Sequence, residues 1–190
     1  MILIIAEKPS LARNIVAGIG QMKKNNGYFE GLGYIVTWAF GHLFSLADIE
    51  SYTGAEDTRW TLDNLPCFPE EFKFELRHAD GKKTVDSGVK KQFKIIETLC
   101  NRSDVDTIVN AGDADREGEI IVRLCVDNAL KSEKSQKRLW LPDQTPETVR
   151  RALSEMKDES EYDNLAGEGL ARTYIDWLYG VNLTRYATIR

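Results

Sequence analysis

Residues 2–6 (ILIIA) form an unbroken apolar, largely β-branched run that stops at a polar turn, the pattern of a strand buried on both faces. Residues 105–109 offer a second such strand, and 138–141 a short third. Between them the period changes. Residues 10–19, with Pro9 in the first turn and Gly18 and Gly20 closing the pattern, read as a helix. Residues 89–99 carry Val89, Phe93, Ile96 and Leu99 on one helical face, 120–130 read as a helix, and so do 145–156, which open Thr-Pro-Glu. Strands alternating with helices predict βαβ crossovers and a mainly parallel α/β sheet flanked by helices.

Three stretches depart from that alternation. Residues 29–40 (FEGLGYIVTWAF) predict a hairpin with Gly31 and Gly33 at its turn, ended by Gly41-His42-Leu43. Residues 45–69 lose periodicity and predict a long, mostly irregular surface excursion, followed by a strand at 72–76. The acid-rich residues 154–163 read as an exit, and 164–190 as a helical pattern that stops midway. The expected organisation is one α/β domain over 1–153 and the start of a following helical domain over 154–190.

Composition narrows the class. A chain of 190 residues, 42% hydrophobic and 29% charged, supports one main core and does not belong with disordered sequences. Its net charge of -5 argues against holding nucleic acid by bulk positive potential, so any such contact must come from local basic or aromatic patches. Cys67, Cys100 and Cys125 are widely spaced without a CxxC pair, which suggests neither a disulfide framework nor a zinc site and fits a reducing cytoplasm. The apolar start is cut by Glu7 and Lys8, too early for a signal sequence or a membrane span.

The chemistry concentrates after two of the strands. Asp113, Asp115 and Glu117 stand two residues apart, so an extended continuation of the preceding strand would point all three carboxylates to one side and into one pocket. Clustered carboxylates repel, and a bound hard cation, Mg²⁺ for an all-oxygen set, relieves that. The alternative is a solvated loop whose Glu117 and Glu119 complement a helix N-terminus. Glu7 and Lys8 follow the first strand. Taken alone they are a surface ion pair, but if the two strands are parallel neighbours Glu7 faces the Asp113 cluster at one sheet edge.

A glutamate after the first strand and a DxDxE after a later one resemble the toprim domain of topoisomerases, some primases and certain nucleases. Five longer strings, IIAEKPSLAR, TWAFGHL, RWTLDNLP, AGDADREGE and DWLYGVNLTR, resemble type IA DNA topoisomerases of the bacterial topoisomerase III group, in order and over essentially the whole chain. The resemblance implies a Rossmann-like toprim fold and an ATP-independent enzyme that cuts a single DNA strand through a 5′-phosphotyrosine, passes a strand and reseals. That tyrosine would lie outside these residues, leaving the isolated chain inactive.

It further implies that Glu7 and Asp113 bind the catalytic Mg²⁺, that Asp115 and Glu117 help a second ion, and that Glu7 is also an acid/base for the 3′-hydroxyl. Lys8 would stabilise charge on the scissile phosphate, and Arg116 would balance local negative charge. Single-stranded DNA is the implied partner of a cytoplasmic bacterial monomer. Arg59 and Trp60 in the excursion, and Trp177, Arg185 and Arg172 on the last helical pattern, are the expected strand contacts. Trp177 and Arg185, eight residues apart, would share a face; core packing is the competing reading for Trp177. The family has a basic residue where this chain has Tyr174, which puts a phosphate contact there in doubt. Two rival functions stand beside this one: a primase or nuclease built on the same domain, and a non-catalytic module whose acidic loop binds a basic partner.

Overall fold

In the computed structural model, residues 1–54, 61–79 and 84–189 are described. The central sheet is built from seven strands: β1 (Ile2–Ala6), β2 (Lys23–Lys24), β3 (Tyr28–Gly31), β4 (Tyr34–Trp38), β7 (Thr107–Ala111), β8 (Ser135–Arg138) and β9 (Lys157–Asp158). A separate two-stranded sheet pairs β5 (Phe44–Leu46) with β6 (Phe74–Leu76). The helices are α1 (Pro9–Ile19), α2 (Glu50–Thr53), α3 (Ser87–Cys100), α4 (Arg116–Ala129), α5 (Pro146–Ser154), α6 (Asp163–Tyr179) and α7 (Arg185–Ile189).

The large sheet runs β2-β3-β4-β1-β7-β8-β9. Its four central strands are parallel, with Ile4 level with both Val36 and Val109, while β2, β3 and β9 join antiparallel at the edges. The fully apolar β1 lies in the middle because only a strand covered on both faces can bury every side chain. α1 packs with α5, and α3 with α4. Ile4, Val36, Val109 and Leu139 meet Leu11, Ile15 and Val149 in one core cluster. This is the expected α/β architecture with helices flanking a mainly parallel sheet. β3 and β4 form the expected hairpin, closed by Leu32 (φ 53°) and Gly33 (φ 84°). Two successive positive φ values match the right-handed twist of the strands they join.

Several expectations shift. The second strand begins at Thr107 and ends at Ala111, and the third spans Ser135–Arg138 rather than 138–141. The helix expected at 120–130 starts four residues earlier, at Arg116, because Asp115 caps it and its first turn is acidic. The excursion at 45–69 contains β5, α2 and a 3₁₀ turn at Leu62–Asn64.

Contacts divide the chain into two compact units, Met1–Phe44 with Leu76–Gly169, and Ser45–Glu75 with Leu170–Arg190. The sheet runs past the expected division at residue 153: Lys157 pairs with Arg138, and Glu159 is buried. Within the second unit Phe72 stacks on Tyr174 at 4.3 Å, and Trp177 meets Phe72 and Tyr52 edge-on.

Candidate active site at the carboxyl edge of the sheet

All four parallel strands end at one edge, so Glu7 and Lys8 after β1 and Gly112 to Asp115 after β7 are brought together although they are a hundred residues apart. From β1 the chain crosses to β4 on one side, and from β7 it crosses to β8 on the other. Adjacent strands whose connections diverge in this way leave a crevice beyond their carboxyl ends, where open α/β sheets bind ligands.

The Asp113 amide donates to Glu7 Oε2 at 3.2 Å, and the Lys8 ammonium donates to Asp113 Oδ2. Asp113 is half-buried and Lys8 partly exposed. The hydrogen bond to Asp113 holds Lys8 above the ordinary lysine range against the opposing effect of burial, with charge from Asp113, Glu7 and Asp115 adding to it. Lys8 is therefore a cation throughout the neutral range. The Glu7 carbonyl accepts from the Gly41 amide at 3.0 Å, which ties the end of the hairpin to the same edge.

The DADRE run is not extended as expected: Asp115 and Glu117 line one surface pocket with Arg116 and Glu168, while Asp113 meets Lys8. β7 stops at Ala111, the chain turns, and Asp115 becomes the cap of α4, accepting from the Gly118 amide at 2.7 Å. Glu117 sits in the first helical turn and faces His42, its Oε2 lying 3.4 Å from Nε2. Among the described residues no group of three or more His, Cys, Asp or Glu side chains is placed to hold a metal ion. The helix won because an aspartate at the cap satisfies an otherwise orphaned amide, and its charge favours the helix N-terminus. Arg116 pairs with Glu168 at 2.6 Å, one way of balancing local charge.

The turn is tight. A Cβ on Gly112 would lie 1.9 Å from the Gly118 carbonyl oxygen, and one on Gly118 would lie 2.4 Å from the Asp113 nitrogen, so both glycines are required by close backbone approach. Behind the turn lies a buried polar group that the pattern of the sequence did not single out. Arg138 is fully buried and its guanidinium meets Glu119 Oε2 at 2.7 Å. Asn110 donates to the Glu119 carbonyl and to Glu159 Oε1 at 3.1 Å each, and accepts from the Gly112 amide. Burial raises Glu159 to about 7.

The remaining expected contacts belong to the second unit. Trp177, half-buried in the aromatic cluster, donates from Nε1 to the Ala47 carbonyl at 3.0 Å. Arg185 pairs with Asp48 at 2.8 Å, and Arg172 with Asp176 at 2.7 Å. A π-helical turn at Gly180–Thr184 lies between Trp177 and Arg185, and both side chains face the same segment, Trp177 on the Ala47 carbonyl and Arg185 on Asp48. Arg59 and Trp60 lie outside the described residues. No helix among the described residues is long and apolar enough to cross a membrane.

Comparison with known proteins agrees with the fold. Residues 2–142 match the toprim domain. The chain is 42% identical over 188 residues to DNA topoisomerase 3 of Bacillus cereus and 39% identical over 188 residues to that of Bacillus subtilis, each alignment covering 99% of this chain and 24% of the relative. It thus spans about a quarter of the length of the curated relatives it matches.

Proposed function

The chain belongs to the toprim domain family, and on that premise we propose that it is the N-terminal catalytic part of a type IA DNA topoisomerase of the topoisomerase III kind. The parent enzyme cuts one DNA strand through a tyrosine outside these residues, passes a strand through the gap and reseals it. The observation that carries this reading is the convergence of Glu7, Lys8 and Asp113 at the crevice between β1 and β7. An acid, a cation and a second carboxylate within hydrogen-bond reach suit the handling of a phosphodiester. The parent acts on single-stranded DNA in the bacterial cytoplasm, as a monomer and without a nucleotide cofactor.

Mg²⁺ fits this donor set. Glu7 and Asp113 are hard oxygen donors already linked through the Asp113 amide, and Mg²⁺ is commonly held by one or two carboxylates together with water and phosphate oxygens. Glu7 and Asp113 would hold the ion, with Asp115 and Glu117 serving a second one beside the same turn. When bound, Mg²⁺ supplies positive charge next to the phosphate oxygens. Lys8 contributes its own ammonium to the same charge, from a position fixed by Asp113. Glu7 holds or releases a proton at the 3′-oxygen as the strand is cut and rejoined. Strand contacts are assigned to Arg59, Trp60, Arg172, Trp177 and Arg185. For Trp177 and Arg185 this requires that their present partners be exchanged for a base and a phosphate.

Isothermal titration of the chain with Mg²⁺ tests the site. Asp113→Asn and Glu7→Gln are expected to weaken binding by about tenfold or more, as loss of a charged ligand does. Unchanged affinity in both variants would remove the metal assignment.

A further inference from the structure

The acidic turn is held from behind by one arginine. Arg138, at the end of β8, has no exposed surface, yet its guanidinium donates mostly to main-chain oxygen, including the Gly112 and Asp113 carbonyls of the β7–α4 turn. Nη1 donates to the carbonyls of Asn110 at 3.2 Å, Gly112 at 3.1 Å and Leu139 at 2.8 Å. Nη2 donates to the Asp113 carbonyl at 2.8 Å, and Nε to Glu119 Oε2 at 2.7 Å. Trp140 and Tyr162 lie over the same group, 5.0 and 5.8 Å from its carbon.

The need for it follows from the local chain path. β7 leaves the sheet at Ala111, so the Gly112 carbonyl loses its ladder partner while still close to the core, and the Asp113 carbonyl, which accepts from the Asp115 amide at 2.8 Å, keeps a second lone pair to fill. Buried carbonyls without partners are costly. A planar fork of five donors answers several at once, which an ammonium does not do. Glu119 neutralises the fork from the first turn of α4 and accepts from Arg123 at 3.1 Å through its other oxygen, so the anchor ties β8 and α4 to one turn.

Resting on the active-site reading above, we infer that the Arg138–Glu119 pair is the positioning element of the acidic turn: by fixing the carbonyls of Gly112 and Asp113 it sets the Asp113 amide on Glu7 and the Asp113 carboxylate beside Lys8. A buried ion pair is poor evidence for stability by itself, and a well-packed apolar pair serves a core as well. The placement of four donated hydrogen bonds on main-chain oxygens is what an apolar pair would not reproduce.

The test uses the 190-residue chain, with Arg138→Lys and Glu119→Gln. Ile96→Val, a cavity in the buried face of α3, serves as the stability control. Two quantities are measured at a temperature where circular dichroism shows each variant folded: hydrogen exchange of the Asp113 amide, and Mg²⁺ affinity by titration. Arg138→Lys and Glu119→Gln are expected to speed that exchange about tenfold or more and to weaken Mg²⁺ binding about 10- to 100-fold, the usual effect of removing a group that orients a ligand. Ile96→Val is expected to change neither. Exchange and affinity that both stay within about twofold of the parent chain would overturn the inference. Should Arg138→Lys fail to fold, Glu119→Gln decides it, since the arginine is retained while the charge that holds its guanidinium against the carbonyls is lost. Should Asp113→Asn and Glu7→Gln both leave Mg²⁺ affinity unchanged, the metal reading fails, and exchange at Asp113 alone then confirms or overturns the positioning role.

Discussion

Glu159 shows how burial sets the chemistry of one residue. It is 5% exposed; Oε1 accepts from Asn110, whereas Oε2 has no hydrogen-bond partner among the described residues. Burial outweighs the attraction of Arg123 and lifts its carboxyl from 4.5 to about 7. Because the folded value lies above the unfolded one, the folded state binds more protons between these limits. Glu159 thus contributes stability that is complete below pH 4.5 and is lost as pH rises through about 7. Thermal melting followed from pH 4.5 to 8 should show this decline, and Glu159→Gln should flatten it; an unchanged slope in that variant would place the titration elsewhere. Gly112 makes a steric counterpart. With only 1.9 Å available to a Cβ, Gly112→Ala should lower stability by about 3 kcal/mol or more, read from denaturant midpoints.

At the scale of elements, the junction of β7 and α4 carries two demands on the same aspartate. Asp115 is the cap of α4 and a proposed ligand. Asparagine caps as well as aspartate but carries no charge, so the two roles separate. Asp115→Asn should leave the melting temperature nearly unchanged and Asp115→Ala should cost about 1 kcal/mol, whereas both should reduce any Mg²⁺ dependence that Asp115 contributes. Equal destabilisation by the two variants would show that the charge, not the cap, matters to the helix. The π turn at Gly180–Thr184 changes the helical period between Trp177 and Arg185 and still leaves both on the segment that carries Ala47 and Asp48.

For the molecule as a whole, the crevice between β1 and β7 is placed by topology. The chain spans about a quarter of its relatives, so we expect the chain alone to bind Mg²⁺ yet to leave supercoiled plasmid unrelaxed on a gel. Relaxation by the purified chain would overturn the assignment of the tyrosine to another region.

Much of this was legible from residues adjacent in sequence. The run ILIIA implied a central strand because only full burial tolerates it, and Glu7 and Asp113 announced a shared edge because each follows such a strand. What tertiary structure alone decided lay in partners far apart along the chain. Arg138 read as an ordinary strand residue, since nothing in local spacing indicates that its charge is matched by Glu119, nineteen residues earlier, or that it closes the turn at Asp113. The splitting of the three carboxylates likewise followed from a competition that periodicity does not weigh: an open backbone amide at the start of α4 was worth more to Asp115 than the extended path that would have kept it beside Asp113.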